Sequence, residues 1–271
     1  MLSLFEIRQL CQEYNLVPQK SKGQNFLFDE NIVKKIIAAA DLNIQDTVLE
    51  IGPGLGVLTD YLVKGAGQVI VVELDRKLLT YLKKRYSNVS NLKIIEGDIL
   101  KLNIDSLELK PNYEIVANLP YNITANFIRK FLAANNPPQE MIIMVQKEVA
   151  QRLAAQKGEM SLLAIAAQFY AEVKILFEVS RHSFWPSPRV DSAVIKLTKK
   201  SQPTLADPKL FFRLVKIGFS AKRKQLQNNL VNGFHLEKEQ AKDLIVKSGL
   251  AEKIRPQDLE LDDWLKILKL L

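Results

Sequence analysis

Short apolar runs punctuate the chain and stop at turn-forming residues. "DTVLEIGPG" holds a β-rich run from Thr47 to Ile51 that ends at glycines. "GQVIVVELD" holds a second, Val69 to Leu74, and "NLKIIEGD" a third that ends before Asp98. "NYEIVANLP" and "EMIIMVQKE" give a fourth and a fifth. Between several of these, as in "LTDYLVKG" and "RKLLTYLKKRYSN", apolar residues recur at helical spacing. Apolar strands alternating with helices predict an α/β fold with a mostly parallel sheet covered on both faces. Two later runs, "AEVKILFEVSRHSF" and "DSAVIKLTK", predict an edge hairpin after a mostly helical stretch broken at Gly158. "KKSQPTLADP" (199–208) is polar and proline-bearing and reads as a linker. Everything beyond it is helical in pattern. The expected division is therefore 1–200, an α/β domain with an N-terminal arm, and 201–271, a small all-helical domain.

Composition narrows the chemistry. With 271 residues and 47% apolar content, the chain can build a large core and a smaller second unit. Cys11 is the only cysteine, which excludes an internal disulfide and a cysteine-based zinc cluster. His182 and His235 are the only imidazoles, too few for a multi-histidine metal site, so no metal is expected. The opening "MLSLFEIRQLCQEYN" lacks a signal-peptide core, and no uncharged apolar run is long enough to span a bilayer. The expected setting is the cytoplasm, with no membrane partner. A formal charge of +8 attracts polyanions, nucleic acid among them. The charge is uneven: residues 209–225 carry six Lys or Arg and no acid.

The strand ends carry the chemistry. Gly52-Pro53-Gly54-Leu55-Gly56 follows the first strand and opens a helix expected near Val57. The dinucleotide fingerprint needs a glycine at position 57, where this chain has valine. With Glu50 just ahead, the turn suits an adenosine-containing ligand that lacks a pyrophosphate. Glu73 lies 21 residues after Gly52 at the end of the second strand, where a carboxylate can accept from ribose hydroxyls. Asp98 follows the third, where a carboxylate can accept from an adenine amino group. Each acid alone is an ordinary charged strand terminus; successive carboxyl ends of one sheet are where such folds bind ligands. Asn118-Leu119-Pro120-Tyr121 follows the fourth strand in the same register, which favours a pocket over a plain strand-ending turn.

Taken together, "GQNFL" (23–27), "EIGPGLGVLT", "VIVVELD", "EGD", "NLPYNI", "FWPSPRVDSAV" (184–194) and "KRKQLQNNL" (222–230) cover nearly the whole chain. In content and order they resemble the class I S-adenosylmethionine methyltransferases, and within them the rRNA adenine N6,N6-dimethyltransferase family. The resemblance implies a Rossmann-like, seven-stranded, mostly parallel sheet with a small helical C-terminal domain. It implies S-adenosyl-L-methionine as methyl donor, S-adenosyl-L-homocysteine as product and no metal. It is strongest to the bacterial branch acting on 16S rRNA within an immature small ribosomal subunit, at two adjacent adenines near the 3′ end.

By that resemblance Asn25 and Leu27 are similar to cofactor contacts from the N-terminal segment. Gly52 and Gly54 look like the turn beside the methionine part, Glu73 like the ribose acid and Asp98 like the adenine acid. Asn118 resembles the group between the two substrates. Its side-chain oxygen and the Leu119 carbonyl would accept the N–H groups of an adenine amine and aim its lone pair at the methyl carbon. Pro120, which has no N–H, would fix the backbone there. Tyr121 would offer one stacking face and Phe184 the opposite wall, with Trp185 turned the other way against the sheet. Arg152, Lys157, Arg181 and Arg189, with Lys222, Arg223 and Lys224, are candidates for phosphate contacts. His182 needs no role as a base, and Asp191 reads as a structural acid anchoring the turn before the last strand. The chain departs from the family in having Lys22 before the "GQNFL" glycine and Met160 after Gly158, where aromatics are usual.

Other readings compete. A nicotinamide dehydrogenase fails on the glycine spacing, and a DNA adenine methyltransferase on the helical tail and C-terminal motifs. The antibiotic-resistance branch that methylates large-subunit 23S rRNA shares most motifs; Leu119, "VDSAV" and "QLQNNL" favour the small-subunit branch. An assembly factor that senses particle maturity by binding alone is the non-enzymatic alternative. A monomer is the expected state.

Overall fold

The computed structural model describes residues 2–18, 23–201 and 208–271. Lys22 and most of the expected linker lie outside the described residues. The chain divides into two compact units, Met1–Ala150 with Glu172–Lys199, and Gln151–Ala171 with Lys200–Leu271.

The first unit begins with α1 (Leu4–Glu13), a two-residue strand β1 (Phe26–Leu27) and α2 (Glu30–Ala40). Then come β2 (Thr47–Ile51), α3 (Thr59–Gly65), β3 (Gln68–Glu73), α4 (Arg76–Arg85) and β4 (Leu92–Glu96). They are followed by β5 (Glu114–Asn118), α5 (Thr124–Leu132), β6 (Glu140–Gln146) and the start of α6 (Lys147–Leu153). After α7 (Leu162–Tyr170) the chain returns through β7 (Ala171–Val179), β8 (Phe184–Trp185) and β9 (Ser192–Lys199). Among the described residues the main sheet has seven strands in the order β4-β3-β2-β5-β6-β9-β7. The pairs among β4, β3, β2, β5 and β6 are parallel, and β9 runs antiparallel to β6. Every residue of β2 is buried, as a strand covered on both faces requires. The expected strands agree with those observed to within a residue or two, and β7 takes the sheet edge.

The chain runs outward from β2 through β3 to β4, then returns to β5 on β2's other side. The switch point is thus between the carboxyl ends of β2 and β5, at Ile51 and Asn118. The helix after the glycine turn starts at Thr59, two residues beyond the expected Val57. Helix α1, capped by a reciprocal Ser3–Glu6 pair, buries Ile7 and Cys11 in a cluster with Phe26, Leu78, Tyr81 and Leu82.

The second unit is helical: α6's end, α7, α8 (Pro208–Gly218), α9 (Leu226–Phe234), α10 (Lys238–Lys247) and α11 (Leu261–Leu268). A single cut at residue 200 leaves out the segment 151–171, which belongs with these helices. The reason is its core: Ala155, Met160, Ala164, Ile165 and Phe169 pack with Phe211, Leu214, Leu230 and Trp264. The rings of Phe169 and Phe211 lie 5.0 Å apart.

Candidate active site

The carboxyl ends of β2, β3 and β5 and the residues after β4 open onto one cavity. It brings together Asn25, Leu27, Gly52, Gly54, Glu73, Asp98, Asn118 and Pro120. Glu73 is the last residue of β3 and is buried. Its Oε1 accepts from the N–H groups of Leu74 at 2.8 Å and Asp75 at 2.9 Å, and its Oε2 from Gly54 at 3.4 Å. A carboxylate has about four lone-pair sites, so Oε2 keeps accepting capacity for a hydroxyl. Burial pushes the Glu73 carboxyl up, and these three N–H donors oppose that rise. Gly54 can aim its N–H there because it adopts φ +59°, the left-handed region that glycine enters without strain.

Asp98 opens a tight turn. Its Oδ1 accepts from Leu100 N at 3.0 Å and its carbonyl from Lys101 N and Leu102 N at 2.8 and 2.9 Å. Lys101 stands 3.8 Å from Oδ2, an exposed and weak ion pair. Behind the glycine turn, Glu50 is 2% exposed and accepts a 2.6 Å bond from the Thr59 hydroxyl. Burial pushes its carboxyl up to about 8, the Thr59 bond opposes this, and Asp60 and Glu73 add to the rise.

The acceptor side is held from two directions. Asn118 donates through Nδ2 to the Asn25 carbonyl at 3.5 Å, so its Oδ1 is left as an acceptor. Asn25 donates its own amide to the Gly23 carbonyl. The arm is also fastened across the cavity, where Gln24 donates to Asp75 at 3.2 Å. Leu119 N donates to Met144 O at 3.2 Å. The Pro120 carbonyl takes the N–H of Ile123 and the hydroxyl of Thr124, so among the described residues the turn's own bonds fall there and not on the Leu119 carbonyl.

The aromatics differ from expectation. Tyr121 is half-buried and its phenol is 2.7 Å from Ser192 Oγ, the buried first residue of β9; burial pushes that phenol up. Phe184 is 3% exposed and packs with Leu27, Val33, Ile36 and Val194. Neither ring lines the cavity. The expected open wall at Phe184 is not what the structure holds, because β8 pairs antiparallel with β1, placing Phe184 opposite Leu27 in the core. Trp185 points the other way, as strand alternation demands, under Arg8 and onto the α1 cluster, against which Leu92 and Ile94 of β4 also pack. Asp191 accepts from Arg181 N at 2.9 Å, the anchoring role expected of it.

Among the candidate phosphate contacts, Arg181 and Arg189 are exposed on the first unit, and Arg152 and Lys157 on the helical unit. Lys222, Arg223 and Lys224 are exposed just before α9. Arg223 and Lys224 line a polar groove with Gln225, Asn228, Asn232 and Arg255. Arg255 was not anticipated; its signal is a lone cation before a helix, too common to single out. Leu74 and Ile99, apolar walls of the cavity, and Ser192 were also missed, since only the fold brings them to the site.

The ionisable groups of the lining are Glu50, Glu73, Asp75 and Asp98, all acids. With no Lys or Arg among the described lining residues, the cavity disfavours a pyrophosphate. It fits a cationic nucleoside whose hydroxyls and amine can donate, as S-adenosylmethionine does, with Glu73, Asp98, the glycine turn and the 23–27 arm to hold it. Among the described residues, no group of three or more His, Cys, Asp or Glu could hold a metal ion.

A family model described as ribosomal RNA adenine dimethylase matches residues 17–271. The chain is 40% identical to ribosomal RNA small subunit methyltransferase A of Dehalococcoides mccartyi, over 96% of this chain and 90% of that one. It is 38% identical to the protein of the same name from Moorella thermoacetica, covering 97% and 95%. Its fold matches a dimethyladenosine transferase from Plasmodium falciparum with TM-score 0.77 and 30% identity, over 89% and 95% of the two chains. It matches the 23S rRNA methyltransferase ErmE with TM-score 0.74 and 25% identity, over 90% and 98%. With the family model spanning nearly all of it, the chain belongs to the ribosomal RNA adenine dimethylase family.

Proposed function

We propose that the protein transfers methyl groups from S-adenosyl-L-methionine to N6 of two adjacent adenines near the 3′ end of 16S rRNA, within an immature small ribosomal subunit. The observation that carries the reading is the placement of Asn118 and Pro120 with Glu73 and Asp98 around one acid-lined cavity. Relatives that align over nearly the full chain and bear a small-subunit name support the choice of particle. An rRNA substrate makes the cytoplasm the working compartment. A monomer suffices, since one chain carries both donor and acceptor groups.

When bound, S-adenosylmethionine supplies an electrophilic methyl group on a sulfonium. The protein's task is placement. Glu73 accepts from the ribose and Asp98 from the donor's adenine amine, while Gly52 and Gly54 let backbone approach closely. Asn118 Oδ1 and the Leu119 carbonyl accept the target N–H groups, pulling the nitrogen toward tetrahedral geometry. These acceptors tighten as positive charge develops on that nitrogen. Orientation of this kind is worth up to roughly 7–11 kcal/mol in the best cases. The methylated ammonium is acidic enough to release its proton to water, so His182 has no part to play. Tyr121 supplies a stacking face for the flipped purine. Arg152, Arg189 and Lys222 to Lys224 meet phosphates outside the pocket.

The likeness to the 23S rRNA enzyme favours one alternative, a large-subunit adenine. Unmethylated small and large particles offered with labelled donor, followed by mapping of the labelled nucleotides, decide between them. Label confined to adjacent adenines of the small particle is expected; label only in the large particle overturns the assignment.

A further inference from the structure

Lys130, in the last turn of α5, has no role in the reading above. Its ammonium donates to three main-chain carbonyls: Ile99 at 2.9 Å, Leu100 at 2.9 Å and Leu102 at 2.5 Å. An ammonium has three N–H donors, so these bonds use them all. A lysine on a solvated helix face ordinarily reaches water or a carboxylate. This one is half-buried and turned onto backbone some 30 residues away.

The carbonyls converge for a local reason. The N–H groups of Leu100, Lys101 and Leu102 all fold back onto Asp98, to its side chain or its carbonyl. Such a one-turn coil gathers donors at its start and leaves carbonyls at its far end, as a helix C-terminus does, and a cation is the group that end attracts. The start of the same coil, with Gly97, Asp98 and Ile99, forms part of the cavity wall. The Leu102 side chain folds back over Gly97, where an added Cβ would be 2.7 Å from Leu102 Cδ1, and so closes the coil on its own start.

We propose that Lys130 is a positioning residue for the methyl donor: by gathering the carbonyls of Ile99, Leu100 and Leu102 it sets the turn on which Asp98 meets the donor's adenine. The inference rests on the reading of Asp98 as the adenine acceptor. It also gives α5 a double duty, since this helix follows directly from the Asn118–Tyr121 loop and so ties the donor turn to the acceptor loop.

Calorimetric binding to the full chain tests it with two probes, S-adenosylhomocysteine and its analogue with hydrogen in place of the 6-amino group. Lys130→Met is expected to weaken S-adenosylhomocysteine about tenfold, the scale of a hydrogen bond lost or misdirected. The same change should leave the desamino analogue within about twofold, and should add little in an Asp98→Ala background. Equal losses for both probes, or a full tenfold loss on top of Asp98→Ala, overturn the proposal by making Lys130 a general prop of the fold. If Lys130→Met does not fold, Lys130→Gln, which keeps two of the three N–H donors on a shorter stem, is expected to show the same selectivity at smaller amplitude; equal loss for both probes there overturns it too. Should Asp98→Ala bind both probes like the parent, the underlying reading of Asp98 fails. Should Asp98→Ala discriminate between them while Lys130→Met does not, only the lysine's role falls.

Discussion

Two side chains at the site carry tests of their own. The phenol of Tyr121 is fixed by Ser192, so the ring's plane depends on a residue 71 positions away on β9. Tyr121→Phe and Ser192→Ala should each lower kcat several-fold, with S-adenosylhomocysteine affinity unchanged and the double variant no worse than either single. Additive losses would mean that the two groups act separately. Tyr121→Ala should go further and weaken adenine capture while sparing donor binding, and a fall in donor affinity there would contradict its role as a stacking face; Phe184→Ala, which empties a core site against Leu27, should instead lower the melting temperature. Glu50 gives a pH signature. Its carboxyl stands at about 8 in the fold against an ordinary 4.5, so the native state holds a proton that the unfolded chain has lost. Its contribution to stability is complete below 4.5 and is lost as pH rises toward 8, by about 1.4 kcal/mol per pH unit in the steepest range. Glu50→Gln, with an amide oxygen still able to accept from Thr59, should melt like the parent at pH 4.5 and at a higher temperature at pH 8. A gap that shrinks with rising pH would refute this.

At the scale of elements, the turn between β2 and α3 depends on α4. The Tyr86 hydroxyl, just past the end of α4, reaches the Gly56 carbonyl at 2.9 Å and Asp60 at 2.8 Å, and Arg85 binds the same carboxylate at 2.7 Å. A Cβ on Gly56 would sit 2.2 Å from that hydroxyl, in a residue already at φ +80°. Gly56→Ala should therefore cost about 2–4 kcal/mol from overpacking and left-handed strain together. Adding Tyr86→Phe removes the closest atom and should recover part of the lost melting temperature; no recovery would place the cost in the backbone alone. β2, β3, β5 and β6 were legible because both their faces are largely buried, so each reads as an apolar run ended by a glycine, an acid or an amide, while the less buried edge strand β4 was legible from its short apolar run before Gly97. The orientation of Phe184 was not legible, since the motif names the residue while the β1–β8 pairing decides which way it faces. Helix α1 shows the same limit. Its Ile7 and Cys11 stand at helical spacing, but their partners Tyr81 and Leu82 lie some 70 residues on.

For the whole molecule, contact across sequence decides how the units divide. Residues 151–171 resemble a continuation of the α/β pattern until Phe169 is seen against Phe211 and Met160 in the same core as Trp264. Only then does the helical unit acquire its two-part membership, and the exposed cations of Lys222 to Lys224 become features of a unit with its own core. The acid-lined cavity belongs to the other unit, where Glu73, Asp98 and Asn118 share it and where the proposed function puts the methyl donor. That division makes the last prediction a separation of functions. Replacing Lys222, Arg223 and Lys224 together by alanine should leave S-adenosylhomocysteine binding untouched, because none of the three lines the donor cavity. Binding to rRNA should weaken and lose salt dependence. Each phosphate contact removed lowers the slope of log K against log salt by roughly 0.7–0.9, so the triple change should flatten it by about 2 if all three cations pair with phosphates. Weaker binding with an unchanged slope would mean that these side chains contact bases or shape the groove beside Arg255 rather than neutralise the RNA backbone. A loss of donor affinity would mean that they support the fold of the catalytic unit, against the independence of the two cores.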